Sequence, residues 1–230
     1  MMDSIFLLPA ALALLALSTR SLDYKGAISA LLMGLLVLVA QNIYWLSMLL
    51  VFFVVGTAAT KVKAEHKKQF GFYQKTRTTE NVVANGGVAL LMALAGNLYG
   101  FLGALSTATA DTLSSELGVL SKKRPVLITT LRPVKTGTDG AVSLFGTVAE
   151  IGGVFIIVLF VLLFNMSNAF GNIDIWKITL VTVLSGIFGC TIDSFVGATW
   201  ERRGISDNSK TNFMATASGG LFALLLGYLL

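Results

Sequence analysis

Cysteine is almost absent from this sequence. Cys190 stands alone, so no disulfide can form within the chain and no thiol cluster can bind a metal. Histidine is equally scarce. His66 lies in a lysine-rich stretch and reads as a solvated loop residue, and no Ser-His-Asp set can be assembled around it. There is no Walker motif and no GxGxxG, which removes the common nucleotide-binding loops. Charge is thin as well: 13% of the 230 residues are charged, against about 25% in soluble domains.

Apolar residues fill the gap, at 55% of the chain and a mean hydropathy of +0.79. Several runs approach the roughly 20 residues that a bilayer-crossing helix requires. Spans are expected at 4–19, 26–41, 43–60, 142–164, 175–200 and 212–230. Met1-Met2-Asp3 lacks a basic n-region and no small-residue cleavage site follows, so the first run is expected as a retained helix. The expected fold class is an all-α polytopic membrane protein, a single integral membrane domain over 1–230 with about seven or eight transmembrane segments. Residues 81–118 are the ambiguous part. They are interrupted at Gly96-Asn97 and turn polar after Ser106, which suits either two crossings or a broken, re-entrant pair buried in protein.

The net charge of +5 does not describe a nucleic-acid binder, because the cations sit between apolar runs rather than along one soluble face. Lys and Arg number two in 20–25, six in 61–80, five in 122–135 and three in 201–210. Together these are sixteen of the seventeen, with only Lys177 elsewhere. Positive charge marks the cytoplasmic side. The loops 20–25, 61–80, 119–140 and 201–211 are therefore expected on one cytoplasmic face.

Four carboxylates stand where lipid is expected. Asp111, Glu116, Glu150 and Asp193 lie in or at the ends of apolar segments, where a charge costs about 2.5–3.5 kcal/mol on insertion scales. Their neighbours share helical faces: Ser143, Gly146, Thr147 and Glu150 on one, and Gly186, Gly189, Asp193, Gly197 and Glu201 on another. Asp111, Ser115 and Gly118 make a third, with Thr112 and Glu116 beside it. No matching set of buried cations is apparent, so the carboxylates are expected to hold a proton or a cation. Beside Lys/Arg-rich loops they suit Mg²⁺ with a polyphosphate, since Mg²⁺ takes one or two carboxylates plus phosphate oxygens. The loop Arg132-Pro-Val-Lys-Thr-Gly-Thr-Asp-Gly140 offers two cations and a Gly/Thr-rich turn at a helix start, a setting that favours anions.

A faint internal repeat links these parts. Val55-Gly56, Lys75-Thr76, Asn81-Val-Val-Ala84 and Gly86-Gly87 are echoed by Val196-Gly197, Lys210-Thr211, Asn212-Phe-Met-Ala215 and Gly219-Gly220. A parallel duplication of this kind would put both basic loops on the same face.

These residues resemble an integral membrane family first described as a domain of unknown function, which includes plant and cyanobacterial phytyl-phosphate kinases and an animal transmembrane relative. The resemblance runs through Thr60-Lys61, Asn85-Gly86-Gly87, Ala110-Asp-Thr-Leu-Ser-Ser-Glu-Leu-Gly118, Ser121-Lys122 and Pro125-Val-Leu-Ile-Thr-Thr130. It continues in Gly137-Thr-Asp-Gly-Ala-Val-Ser143, Gly146-Thr147, Asp193-Ser194, Gly197-Ala-Thr199, Asn208 and Asn212. Where the family usually has Trp-Ala this chain has Leu113-Ser114, and Asp139 stands where Asn is frequent. The Asp111 and Lys135-Thr-Gly-Thr138 pieces are more distantly similar to CTP-using dolichol kinases.

The resemblance implies phosphorylation of an isoprenoid monophosphate by a nucleoside triphosphate, CTP favoured, with Mg²⁺ as cofactor and membrane lipid as surroundings. Oligomeric state is left open. Asp111, Glu116, Asp193 and Glu150 are the expected metal ligands, and Asp111, Glu116, Asp193 and Lys135 the expected catalytic residues. Lys61, Lys122 and Arg132 are expected on phosphates. Asn85, Thr112, Ser115, Gly137, Thr138, Asp139, Gly140, Asn208 and Asn212 are expected to hold nucleotide or acceptor. Two other chemistries fit parts of the pattern: a cytidylyltransferase making a CDP-lipid from the same substrates, and an ion-coupled transporter, which also carries intramembrane carboxylates and repeats.

Overall fold

A computed structural model describes residues 6–74 and 76–230. The first five residues of the chain and Lys75 lie outside the described residues, and with them the start of the expected 4–19 span and the Lys75 position of the repeat.

The described residues form nine α-helices and one two-residue-stranded hairpin. In chain order these are α1 (Leu7–Ser18), α2 (Tyr24–Ala40), α3 (Ile43–Lys61), the short α4 (Ala64–Gln69), α5 (Thr79–Leu94) and α6 (Leu98–Gly118). Then come β1 (Val126–Leu127), β2 (Ala141–Val142), α7 (Leu144–Asn165), α8 (Ile175–Thr199), a 3₁₀ turn at Glu201–Arg203, and α9 (Asn208–Leu229). Four helices are long and apolar enough to cross a membrane: α3, α7, α8 with its 3₁₀ extension, and α9. The apolar α1, α2 and α5 are shorter. Polar residues at the apolar boundaries set where helices begin. Asp23, Asn42, Asn97, Ser143, Asp174 and Asp207 each accept a hydrogen bond from the first-turn N–H groups of the helix that follows.

The ambiguous 81–118 segment is a helical hairpin. Gly96 takes a left-handed φ of +67° and Asn97 accepts from Gly100 N–H at 2.7 Å, so the chain reverses there. The second arm, α6, has 21 residues, enough at about 1.5 Å per residue to match the hydrocarbon core. It is also the centre of the bundle, packed by α3, α5, α7, α8 and α9. That position explains its polarity, since Ser106, Thr107, Thr109 and Thr112 are buried against the neighbouring helices. Thr107 donates to Gly103 O at 2.9 Å and Ser185 O at 3.2 Å, and Thr109 to Leu105 O at 2.8 Å.

Small residues let the other helices close on α6. A Cβ at Gly189 or Gly219 would overlap the Thr107 side chain, and one at Gly186 would overlap Ser106. One at Gly153 would stand 2.9 Å from Ala110 Cα. The glycine stripe of α8 is thus split: Gly186 and Gly189 pack the bundle, while Asp193 and Gly197 continue toward a cavity.

The four basic loops meet at one end. Leu22 and Arg77 form a parallel bridge between the first and second loops. Phe72 packs on Gly137, joining the second to the third, and Gly140 lies against Ser194 O and Ala198 N of α8. At the other end Gln41 donates to Ala93 O at 2.6 Å, and Lys177 stands 5.4 Å from the Tyr99 ring.

Candidate active site

A polar cavity of about 190 Å³ opens at the basic end, between α6, α7, α8 and the 119–143 loop. α6 supplies Asp111, Ser114, Ser115 and Gly118, which follow one another at helical spacing and so face one way. From α8 and its 3₁₀ turn come Asp193, Ser194, Gly197 and Glu201. The loop contributes Thr136, Gly137, Thr138, Asp139 and Gly140, and Asn208 enters from the first turn of α9. Ser143 ties two walls together, accepting from Gly146 N–H at 3.1 Å and donating to Gly118 O at 3.4 Å.

The loop is held down by backbone geometry. The β1–β2 ladder pairs Val126 with Val142 and Leu127 with Ala141. Gly140 has φ +70°, and a side chain there would run into the α8 backbone. Thr138 closes the turn by donating to Lys135 O at 2.8 Å.

Inside, Asp111 and Asp193 bring their carboxyl groups within hydrogen-bonding reach of each other. Asp193 Oδ1 is buried without a hydrogen-bond partner among the described residues. Asp139 and Glu201 complete a four-carboxylate lining that contains no lysine or arginine among the described residues. A buried, unpaired carboxylate facing a second one is a costly arrangement unless a cation is shared between them. The donor set, two hard oxygens with hydroxyls around them, fits Mg²⁺. Among the described residues no three acidic, histidine or cysteine side chains converge on one point, so a metal here would draw its other ligands from water and substrate oxygens.

Of the expected site residues, Asp111, Ser115, Gly137, Thr138, Asp139, Gly140, Asp193 and Asn208 come together in this cavity. Lys135 and Arg132 are exposed on its loop, and Lys122 is exposed at the loop's beginning. Glu150 stands beside Cys190, one turn below the cavity wall.

Glu116 is placed elsewhere. It accepts from Lys67 Nζ and Thr60 Oγ1, both at 2.6 Å, on the side of α6 that faces α3. Thr112 is turned the same way, toward Gly56. Lys61 lines a separate small cavity beside Arg20 and Arg77. Asn85 is buried on α5, donating to Asn81 O at 3.0 Å, and Asn212 lies one helical turn along α9 from Asn208. The expectation of no buried cation is corrected by Lys67, whose side chain is 0% exposed. The sequence alone hid this, because Lys67 lies in a lysine-rich loop and its carboxylate is 49 residues away. Ser114, Thr136, Ser143, Ser194 and Glu201 line the cavity without having been among the expected site residues. The signal for Ser143 and Glu201 was their place on the same stripes as Gly146 and Asp193, and for Ser194 its place beside Asp193 in the stretch that carries the resemblance.

The comparisons with known proteins converge on one family. The integral membrane protein family DUF92 matches residues 7–227. The uncharacterized membrane protein MJ0933 of Methanocaldococcus jannaschii is 40% identical over 221 residues, covering 94% of this chain and 90% of that protein. Protein PGR of Arabidopsis thaliana is 32% identical over 213 residues, covering 80% and 74%. Protein VTE6, chloroplastic, of the same plant is 28% identical over 229 residues, covering 91% and 66%. No solved structure matches the chain. With nearly its whole length matched, this all-helical polytopic membrane protein belongs to the DUF92 family of integral membrane proteins.

Proposed function

We propose that the chain is a Mg²⁺-dependent lipid kinase that moves the γ-phosphate of a nucleoside triphosphate, CTP in preference, onto an isoprenoid monophosphate such as phytyl or geranylgeranyl monophosphate. The observation that carries this reading is the facing pair Asp111 and Asp193, half-buried at the basic end in a hydroxyl-lined cavity, with Asp193 Oδ1 buried and without a hydrogen-bond partner among the described residues. The resemblance to phytyl-phosphate kinases runs through the same Ala110–Gly118, Gly137–Ser143 and Asp193-Ser194 stretches that build the cavity.

The chemistry asks little of side-chain acids and bases. A phosphate monoester acceptor is already an anionic nucleophile, so positioning and charge neutralisation are the work that remains. Asp111 and Asp193 would hold Mg²⁺, which on binding supplies positive charge to the phosphate oxygens. The hydroxyls of Ser114, Ser115 and Ser194 donate to the phosphates. Lys135 and Arg132 bring the loop's cations onto the donor from above, and the 136–140 turn presents backbone N–H groups to it. The isoprenoid chain has a path of its own. An open apolar groove of about 650 Å³ between α5 and α9, walled by Val83, Trp200, Ile205, Phe213 and Met214, is also lined by Ser209 and Lys210, which follow Asn208 in the first turn of α9. Each buried CH₂ of the chain contributes about 0.8 kcal/mol.

Purified protein supplied with geranylgeranyl monophosphate, γ-labelled CTP and Mg²⁺ should yield labelled diphosphate and CDP. Absence of transfer with all four nucleoside triphosphates would overturn the kinase reading. Release of pyrophosphate with formation of a CDP-lipid would assign the cavity to cytidylyl transfer instead.

A further inference from the structure

Two further cavities lie across α6 from the acidic one, and they meet at a single side chain. Thr112 and Glu116 face α3, whereas Asp111, Ser115 and Gly118 face the acidic cavity, so α6 stands between the two sides. On the α3 side, an apolar crevice of about 100 Å³ runs between α1, α2, α3 and α5, walled by Leu12, Met33, Leu49 and Val82 among others. At its basic end a second cavity of about 50 Å³ is lined by Arg20, Lys61 and Arg77 with the hydroxyls of Ser21 and Thr57. Arg77 belongs to both. Among the described residues no carboxylate lines either one.

Arg77 is fixed in place but left without an anion. Its backbone is locked by hydrogen bonds, Asp23 N–H to Arg77 O and Arg77 N–H to Ser21 O, both at 3.0 Å. Its guanidinium lies against Gly56 and 5.9 Å from the Phe52 ring centre, with no side-chain hydrogen bond or ion pair among the described residues. Glu116, the carboxylate whose charge reaches Arg77, is already engaged by Lys67 and Thr60. Burial pushes the Arg77 guanidinium below its ordinary range, with Glu116 acting the other way. A desolvated guanidinium beside two exposed cations is a strong phosphate receptor. Arg20 follows α1 and Lys61 ends α3, and basic pockets between the ends of membrane helices take anionic lipid headgroups.

We propose that the joined cavities are a binding site for a phosphate-bearing anionic lipid, with its phosphate on Arg77, Arg20 and Lys61 and its chain in the α1–α2–α3–α5 crevice. The site stands apart from the transfer reaction and holds whatever the acidic cavity does. It has a route of influence on that cavity. Tyr73 and Gln74 line the basic pocket, and the adjacent Phe72 packs on Gly137 of the acidic cavity's loop.

Native mass spectrometry of the full chain in neutral detergent, with equimolar phosphatidylglycerol and phosphatidylcholine, tests the assignment. The phosphatidylglycerol adduct should dominate by about tenfold, and millimolar inorganic phosphate should not displace it. Arg77→Gln should abolish the preference. The Arg20→Gln/Lys61→Gln double variant, which alters two exposed side chains and no packed one, should weaken it severalfold. Equal binding of the two lipids would overturn the proposal, as would an unchanged preference in the double variant. Full displacement by inorganic phosphate would reduce the site to an anion pocket and overturn it equally.

Discussion

Lys67 is the most deeply buried charge in the described bundle, and its surroundings account for it. Its Nζ donates to Ala59 O at 2.8 Å, Thr60 O at 3.2 Å and Glu116 Oε2 at 2.6 Å. The three bonds satisfy the ammonium group and close the last turn of α3 against α6. Removing one member of such a pair strands the other, at a cost of about 3–5 kcal/mol, whereas replacing both by apolar residues is often neutral. Lys67→Met should therefore lower the apparent melting temperature strongly, and Lys67→Met/Glu116→Leu should recover most of the loss in the same thermal scan. Asp193 is the opposite case, a half-buried carboxylate whose buried Oδ1 lacks a partner among the described residues. Asp193→Asn removes the charge without changing the shape, so it should abolish phosphoryl transfer while leaving thermal stability equal or higher. Glu150→Gln, one turn from the cavity, should retain transfer within a few-fold. Loss of stability in Asp193→Asn would show that the carboxylate holds the fold rather than the site.

Among the elements, the 119–143 loop has the least regular structure and the largest share of the cavity. It is shaped by Gly140, whose φ of +70° and contact with the α8 backbone leave no room for a side chain. Gly204 also has φ +70°, yet nothing lies within 4 Å of a Cβ there. The pair separates backbone strain from packing. Gly204→Ala should cost only the left-handed penalty of about 1–2 kcal/mol. Gly140→Ala should in addition lift the loop from α8 and lower transfer by at least about 100-fold, in line with the sensitivity of positioned groups to small displacements. Circular dichroism should show the same helix content in both.

The helices themselves were legible from sequence. The apolar runs gave α2, α3, α7, α8 and α9 to within a few residues, and Gly96-Asn97 marked the break between α5 and α6. What hydropathy could not convey was that α6 forms the bundle's core, because its small and hydroxylated residues read as polar until five helices surround them. The site was legible in part for the same reason. Asp111 and Asp193 stood out as charges in apolar runs, and Gly137–Gly140 stood out as a turn. Lys67 and Glu116 pair across 49 residues, and no local spacing encodes which face of α6 Glu116 occupies.

For the whole molecule, the strongest constraint is that the basic loops gather at one end. Leu22 bridges Arg77, Phe72 meets Gly137, and Glu201 and Asn208 line the same cavity as the 136–140 turn, so the four loops gather into one charged cap. The other end carries short, weakly charged turns at 41–42, 95–97 and 166–174. A cap of this sign resists translocation, and it should stay on the cytoplasmic side. The native thiol permits a clean measurement, because Cys190 is buried and contributes little background. Two exposed positions report the two ends: Lys123 in the basic cap and Ser167 in the opposite turn. In intact cells a membrane-impermeant maleimide should label Ser167→Cys and spare Lys123→Cys, and in inside-out vesicles the pattern should reverse. Labelling of Lys123→Cys from outside would place the acidic cavity away from the cytoplasmic pool of CTP and Mg²⁺. The kinase reading could not survive that result, although the helical fold would be untouched.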